Sequence, residues 1–276
     1  MKEYSHEITS TDNTFIISIA GINVEVAALS PRCRLLCRDY ITENKPDFKV
    51  SITDSDIRYE AEELQSFRKI FNKNINIVNK SSNTKGFVNL NNDYYLEVSA
   101  IYRKIVEKAL LYDLFLMHGA VIALENDAFM FSAPSGTGKT THIRKWLQNI
   151  EGAYVVNGDK PLIKITGSKA IACGTPWSGN EHLNTNTMVP LKAIVLMFRS
   201  DANYIQEISF AQAYPLLLQQ TYIPASRKKA IKTLKLIAQL QGKVHFFQFY
   251  FNNFKDDCFS VAHRTLIKEV SDCKFH

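Results

Sequence analysis

The chain has 276 residues, 46% of them hydrophobic and 22% charged, which supplies a core and excludes a disordered tail or a disulfide-dependent scaffold. At roughly 100 to 200 residues per domain, the length makes one large domain or two smaller ones. Thirty-three Lys and Arg against 27 Asp and Glu leave a formal net charge of +6, a mild bias toward anionic ligands that does not by itself select nucleic acid.

The polar start, Met1 to Glu7, lacks the apolar segment of a secretory leader, and no apolar run further on is long enough to span a bilayer. A cytoplasmic protein without a membrane partner is expected. Residues 1–100 read as a smaller, β-rich α+β N-terminal domain that serves docking or dimerisation. Strands are predicted at 14–20 and 22–26, joined as a hairpin at Gly21, then at 48–52, 75–78, 87–90 and 94–98, with Asn91-Asn92-Asp93 as the last turn. The five cysteines, Cys33, Cys37, Cys173, Cys258 and Cys273, are an odd and scattered set that fits free thiols in a reducing compartment. Cys33 and Cys37 are spaced C-x-x-x-C with no second pair, and read as buried thiols rather than zinc ligands.

From residue 101 the pattern changes. Ile101, Ile105, Leu111, Leu114 and Phe115 recur near helical spacing and predict a helix over 101–117 that enters a second domain, residues 101–276. A β-hairpin follows at 120–124 and 128–131 around Glu125-Asn126-Asp127. Further strands are predicted at 154–156, 162–165, 193–198 and 244–249, and helices at 138–149, 209–221, 225–241 and 259–271. There is no internal repeat or low-complexity segment, so the chemistry is expected at one localised site.

That site is marked by Ala133-Pro134-Ser135-Gly136-Thr137-Gly138-Lys139-Thr140, a Walker A pattern with Ala for the first Gly. Gly136 and Gly138 permit backbone conformations closed to other residues, so successive amides can turn inward toward phosphate oxygens. Lys139 then reaches the β- and γ-phosphates, Thr140 is placed to ligate Mg²⁺, and the helix that follows directs its positive end at the same anion. Twenty residues beyond Lys139, a predicted strand ends in Asn157-Gly158-Asp159. One helix, one turn and one strand can return the chain beside the loop, where Asp159 could hold Mg²⁺ or accept a proton from an attacking hydroxyl. Otherwise Asp159 merely completes a turn with Gly158.

On Met117-His118-Gly119, the strand pair after it, Ser135-Gly136-Thr137-Gly138-Lys139-Thr140-Thr141 and the acidic turn at Asp159, the sequence resembles the catalytic domain of HPr kinase/phosphorylase. More broadly it is similar to the phosphoenolpyruvate-carboxykinase-like P-loop proteins, over roughly residues 112–200. The resemblance implies an α/β P-loop kinase domain with a mixed sheet, in which residues 135–141 bind nucleotide. It further implies His118 near the γ-phosphate and Asp159 as the general base, the second Asp of the family's pair. Gly158 stands where the first Asp is expected, so one phosphate-proximal carboxylate is missing. Gly174-Thr175-Pro176-Trp177-Ser178-Gly179-Asn180-Glu181 looks like the segment that in such proteins crosses the active site opposite the loop. Glu181 would then join Thr140 and Asp159 as a metal ligand and Trp177 would pack on nucleotide or substrate; the other possibility is a solvent loop anchored by one aromatic. The first hundred residues do not share the resemblance.

The expected function is therefore an ATP- and Mg²⁺-dependent kinase that phosphorylates a hydroxyl, with serine on a small protein or peptide as the expected acceptor. Homo-oligomerisation is left open. The alternatives are a nucleotide-binding regulator with weak or no catalysis, motivated by Gly158, and a nucleic-acid-stimulated ATPase. Arg32-Cys33-Arg34 with Arg38, and Arg227-Lys228-Lys229 with Lys232 and Lys235, lack interleaved exposed aromatics and read as solvated faces, so no nucleic-acid partner is expected. The second cluster could equally steer an acidic peptide.

Overall fold

The computed structural model describes residues 13–78, 93–134, 136–179, 181–252 and 258–272. The strand expected at 87–90, Asn91, Asn92, Ser135, Asn180 and Cys273 lie outside them. The chain divides into two compact units, the first ending at Ile105 and the second running on from Val106.

In the first unit, β1 (Thr14–Ile19), β2 (Ile22–Ala27) and β3 (Phe48–Ser51) form a sheet in that order, with β3 parallel to β2. Alternate residues Phe15, Ile17, Val24, Val26 and Val50 are buried, the period of a sheet with one covered face. Helices α1 (Pro31–Leu36), α2 (Asp54–Val78) and α3 (Asp93–Ala109) make up most of the remainder. This corrects three expectations. Among the described residues the unit is richer in helix than in strand, residues 75–78 are the last turn of α2, and 94–98 the first turns of α3.

The physical reason lies in the length of the window. Leu96, Ala100, Ile101 and Ile105 are buried at helical spacing, so Tyr94-Tyr95-Leu96 is the start of a long amphipathic face rather than a short β run. The entry to α2 also carries a local signal: the Thr53 amide and hydroxyl both donate to Asp56 Oδ2, at 2.9 and 2.8 Å, tying down the first turn. Arg103 of α3 pairs with Glu60 at 2.5 Å, and Lys104 with Asp56 at 2.6 Å, holding α2 to α3. Cys33 and Cys37 are buried free thiols, and burial pushes the Cys37 thiol up to about 12.

The predicted helix over 101–117 also ends early. Helix α3 stops at Ala109, a 3-10 turn spans Leu110–Tyr112, and Asp113 at φ 59° turns the chain into strand β4 (Leu114–Leu116). Strands β5 (Ala120–Leu124) and β6 (Asp127–Ser132) form the expected antiparallel hairpin, and α4 (Lys139–Asn149) follows the glycine-rich loop. Next come β7 (Tyr154–Asn157), β8 (Leu162–Ile165), β9 (Ala170–Cys173), β10 (Met188–Arg199), β11 (Tyr204–Glu207), α5 (Phe210–Gln220), α6 (Arg227–Ala238), β12 (His245–Phe251) and α7 (Cys258–Asp272). The fold of this unit is mixed α/β.

The sheet runs β4-β8-β9-β10-β6-β5-β7, and β12 lies against β10 with β11 beyond it. Strand β10 joins two pairing schemes: its first residues, Met188–Pro190, run antiparallel to β9, and the remainder is parallel to both β6 and β12. Phe129, Phe131, Ala193 and Val195 face one apolar cluster, whereas Met130, Ile194 and Leu196 face another. Both faces of these strands are covered, which is why they read as unbroken apolar runs rather than alternating ones.

Candidate active site

The parallel strands β6, β10 and β12 all finish at one end of the sheet, and the glycine-rich loop leaves β6 at that end. Gly136 and Gly138 have φ of 78° and 122°, a region open to glycine at little cost, which is what the sequence pattern required of them. Helix α4 starts at Lys139, and its His142, Ile143 and Trp146 form the buried face against β5 and β6. His142 is neutral in this setting, its pKa drawn down to about 3 mainly by burial, and its Nε2 accepts from Trp146 Nε1 at 3.1 Å.

Lys139 is only 8% exposed. Its Nζ donates to the Ala133 carbonyl at 2.6 Å and to that of Pro134 at 3.3 Å. Burial lowers its pKa, and the Asp159 carboxylate acts in the opposite direction. Thr137 donates through both its amide and its hydroxyl to the Pro134 oxygen.

Asp159 follows β7, which lies two strands from β6 with β5 between them. Asn157 builds the turn: its Oδ1 accepts the amides of Asp159 at 2.9 Å and Lys160 at 2.7 Å, and its buried Nδ2 donates to Thr175. His118 Nε2 stands 3.0 Å from Asp159 Oδ1. Burial alone would raise the Asp159 pKa, but the His118 hydrogen bond, Lys160 and Lys139 outweigh it, and the carboxyl lies below its usual value. His118 is itself fixed by four groups. Its amide donates to the Gln220 carbonyl at 2.6 Å, its Nδ1 meets Gln220 Oε1 at 3.2 Å, its carbonyl accepts from Ser132 Oγ at 2.7 Å, and Asp159 takes the remaining ring nitrogen.

These groups open onto one cavity of about 510 Å³, lined by His118, Gly136, Gly138, Lys139, Thr140, Thr141 and Asp159 and by Ser178, Gly179, Glu181 and Leu183. The structure thus brings His118, Gly136, Gly138, Lys139, Thr140, Thr141, Asp159 and Glu181 to one cavity, whereas Thr137 is not among its lining residues and Ser135 lies outside the described set. Glu181 points its carboxylate at Arg144 of α4, with Nη2 at 2.8 Å. Trp177 is 5% exposed and is not among the residues that line the cavity; it anchors the crossing segment instead of offering a ring to a ligand. In the basic cluster of α6, Lys229 pairs with Glu107 and Lys232 with Asp113, each at 2.5 Å.

Gly158 has a packing role of its own. A Cβ there would come within 3.0 Å of the Ser178 carbonyl oxygen and 3.3 Å of that of Leu183, which also accepts the Gly158 amide at 2.8 Å. The crossing segment occupies the space that an acidic side chain would need. Gly158→Asp is therefore expected to lower stability by about 1–3 kcal/mol through overpacking. Thermal denaturation reads this directly, and an unchanged midpoint would show that the segment yields freely.

No family model matches the chain, and no curated protein matches it. Among solved structures it is similar to the HPr(Ser) kinase/phosphatase from Coxiella burnetii, with a TM-score of 0.34 and 8% identity over 56% of this chain and 93% of that one. What the cavity does has to be derived from its own residues.

Two positions escaped the sequence reading. Arg199 donates from Nη2 to the Gly136 carbonyl at 2.6 Å and from Nε to that of Thr137 at 3.2 Å, from 62 residues away in the chain. Gln220 lies 102 residues from His118. No local pattern announces either contact. Asn157 was legible, since Asn before Gly is a turn signal whose side chain habitually captures amides two and three residues on.

Proposed function

We propose that the chain is an ATP-dependent phosphotransferase that carries the γ-phosphoryl group to a hydroxyl. The observation that carries this reading is the opening of Lys139 with its glycine loop, and of the His118–Asp159 pair, onto the same cavity. Its volume of about 510 Å³ suits a small-molecule ligand. Lys139 and the loop amides would balance the phosphate charge. Asp159, already a carboxylate, would accept the acceptor's proton as that oxygen bonds to γ-phosphorus and the bond to the ADP oxygen breaks, ADP leaving with the electron pair. His118 would hold Asp159 in place.

Among the described residues no group of three or more His, Cys, Asp and Glu could enclose a metal on its own. Mg²⁺ characteristically takes one or two carboxylates and completes its shell with water and substrate phosphates, and Thr140, Asp159 and Glu181, which all line the cavity, suit that pattern. When bound it would offset charge on the phosphates. Glu181→Gln is expected to raise the Mg²⁺ concentration for half-maximal activity several-fold while stability stays within about 0.5 kcal/mol, because its pair with Arg144 is solvent-exposed. An unchanged Mg²⁺ dependence would remove Glu181 from the metal site.

The acceptor we propose is a hydroxyl, serine first, on a small protein or peptide in the cytoplasm, with the first unit as its docking or self-association surface. Incubation with γ-labelled ATP, Mg²⁺ and candidate acceptors, followed by mass spectrometry, tests this. Label on a seryl residue that disappears with Lys139→Ala supports the kinase. Saturable ATP binding with no transfer favours the regulator motivated by Gly158, and hydrolysis that rises with DNA or RNA favours the ATPase.

A further inference from the structure

We propose that Arg199 is a positioning residue for the nucleotide site, orienting the loop's amides from outside the cavity. The proposal rests on the nucleotide-binding reading above. Arg199 is the last residue of β10, two strands from β5 across β6, and it is exposed. Its guanidinium grips two successive carbonyls of the loop, those of Gly136 and Thr137. In a trans peptide the C=O and the following N–H point in opposite directions. Holding the Thr137 carbonyl outward therefore turns the Gly138 amide away from Arg199, and Gly138 lines the cavity at a φ of 122° that leaves this plane soft unless something fixes it.

The other end of the loop is held differently. The Ala133 and Pro134 carbonyls accept from Lys139, the amine that a phosphate would claim. Once Lys139 turns to a phosphate, those two bonds weaken or are lost, while Arg199 stays fastened to the loop backbone. Its planar fork suits two neighbouring oxygens, a geometry that an ammonium group does not reproduce. The contribution of Arg199 should thus be larger with nucleotide bound than without it.

The test is ATP and ADP affinity by calorimetry for the wild type, Arg199→Ala, Arg199→Lys and Lys139→Ala, with thermal midpoints of each free protein and the Gly138 amide resonance. Arg199→Ala is expected to weaken both nucleotides about tenfold or more, shift the Gly138 resonance, and leave the free midpoint within about 3 °C. Added methylguanidinium should restore part of the affinity, which a general loss of structure would not permit, and Arg199→Lys should recover only part. Wild-type affinity in both Arg199 variants, with Lys139→Ala defective, overturns the proposal and leaves the nucleotide reading intact. A wild type that binds neither nucleotide overturns both. Should Arg199→Ala fail to fold, Arg199→Lys with its Gly138 resonance decides by the same criteria.

Discussion

Lys139→Ala is expected to weaken ATP binding by about a hundredfold or more, the largest effect of any single change at this site. The residue is buried to 8% exposure with its amine against two loop carbonyls, so truncation removes both the charge a phosphate would meet and the donor that ties the loop to the end of β6. Loss of those two bonds leaves the Ala133 and Pro134 carbonyls to water or to Thr137. Lys139→Met separates these effects, because it keeps the stem in its slot while deleting the cation. Both variants should lose affinity, with Met retaining more of the thermal stability. Calorimetric titration reads the first and a melting curve the second; ATP affinity undiminished in both would end the assignment of this loop to phosphate.

Asp159→Asn should lower turnover about 10²- to 10⁴-fold, the range of a lost general base, while ATP affinity changes only a few-fold. The substitution keeps the side-chain shape, and the Asn157 cap on the Asp159 and Lys160 amides does not depend on the carboxylate. It removes the negative charge that His118, Lys160 and Lys139 all favour. Because those partners hold the Asp159 pKa below its ordinary value of 3.8, the group is a base throughout the neutral range. Single-turnover kinetics in parallel with binding measurements distinguish chemistry from affinity. Turnover retained in Asp159→Asn would place the base elsewhere in the cavity.

The second unit was largely legible because its signals are local. A hairpin with a three-residue polar break, a glycine-rich loop and a helical apolar stripe lie consecutively from Ala120 to Asn149, and each fixes its own geometry within a few residues. The nearness of Lys139 and Asp159 was legible for the same reason, since one helix and one strand separate them, whereas His118 was marked only through the resemblance. Short windows misread α2 and α3, where aromatic and β-branched residues at a helix end imitate a strand until the full stripe from Leu96 to Ile105 is considered. Contacts that depend on sheet order, such as Arg199 with the loop and Gln220 with His118, leave no trace in neighbouring residues. Gly158 stood out by its departure from the family pattern, but the reason for a glycine there emerges only from the carbonyls of Ser178 and Leu183 above it.

The double allegiance of β10 governs the order in which a growing chain can assemble. The hairpins β5–β6 and β8–β9 each form from neighbouring residues, yet among the described residues the strand ladder runs from one to the other through β10, which begins at Met188. A nascent chain released short of that point would display the β6 and β9 edges as unpaired apolar ribbons, a setting in which chains associate with one another instead of folding. Synthesis of twelve residues then closes both edges together. β12, whose pairing is also to β10, can add only afterwards.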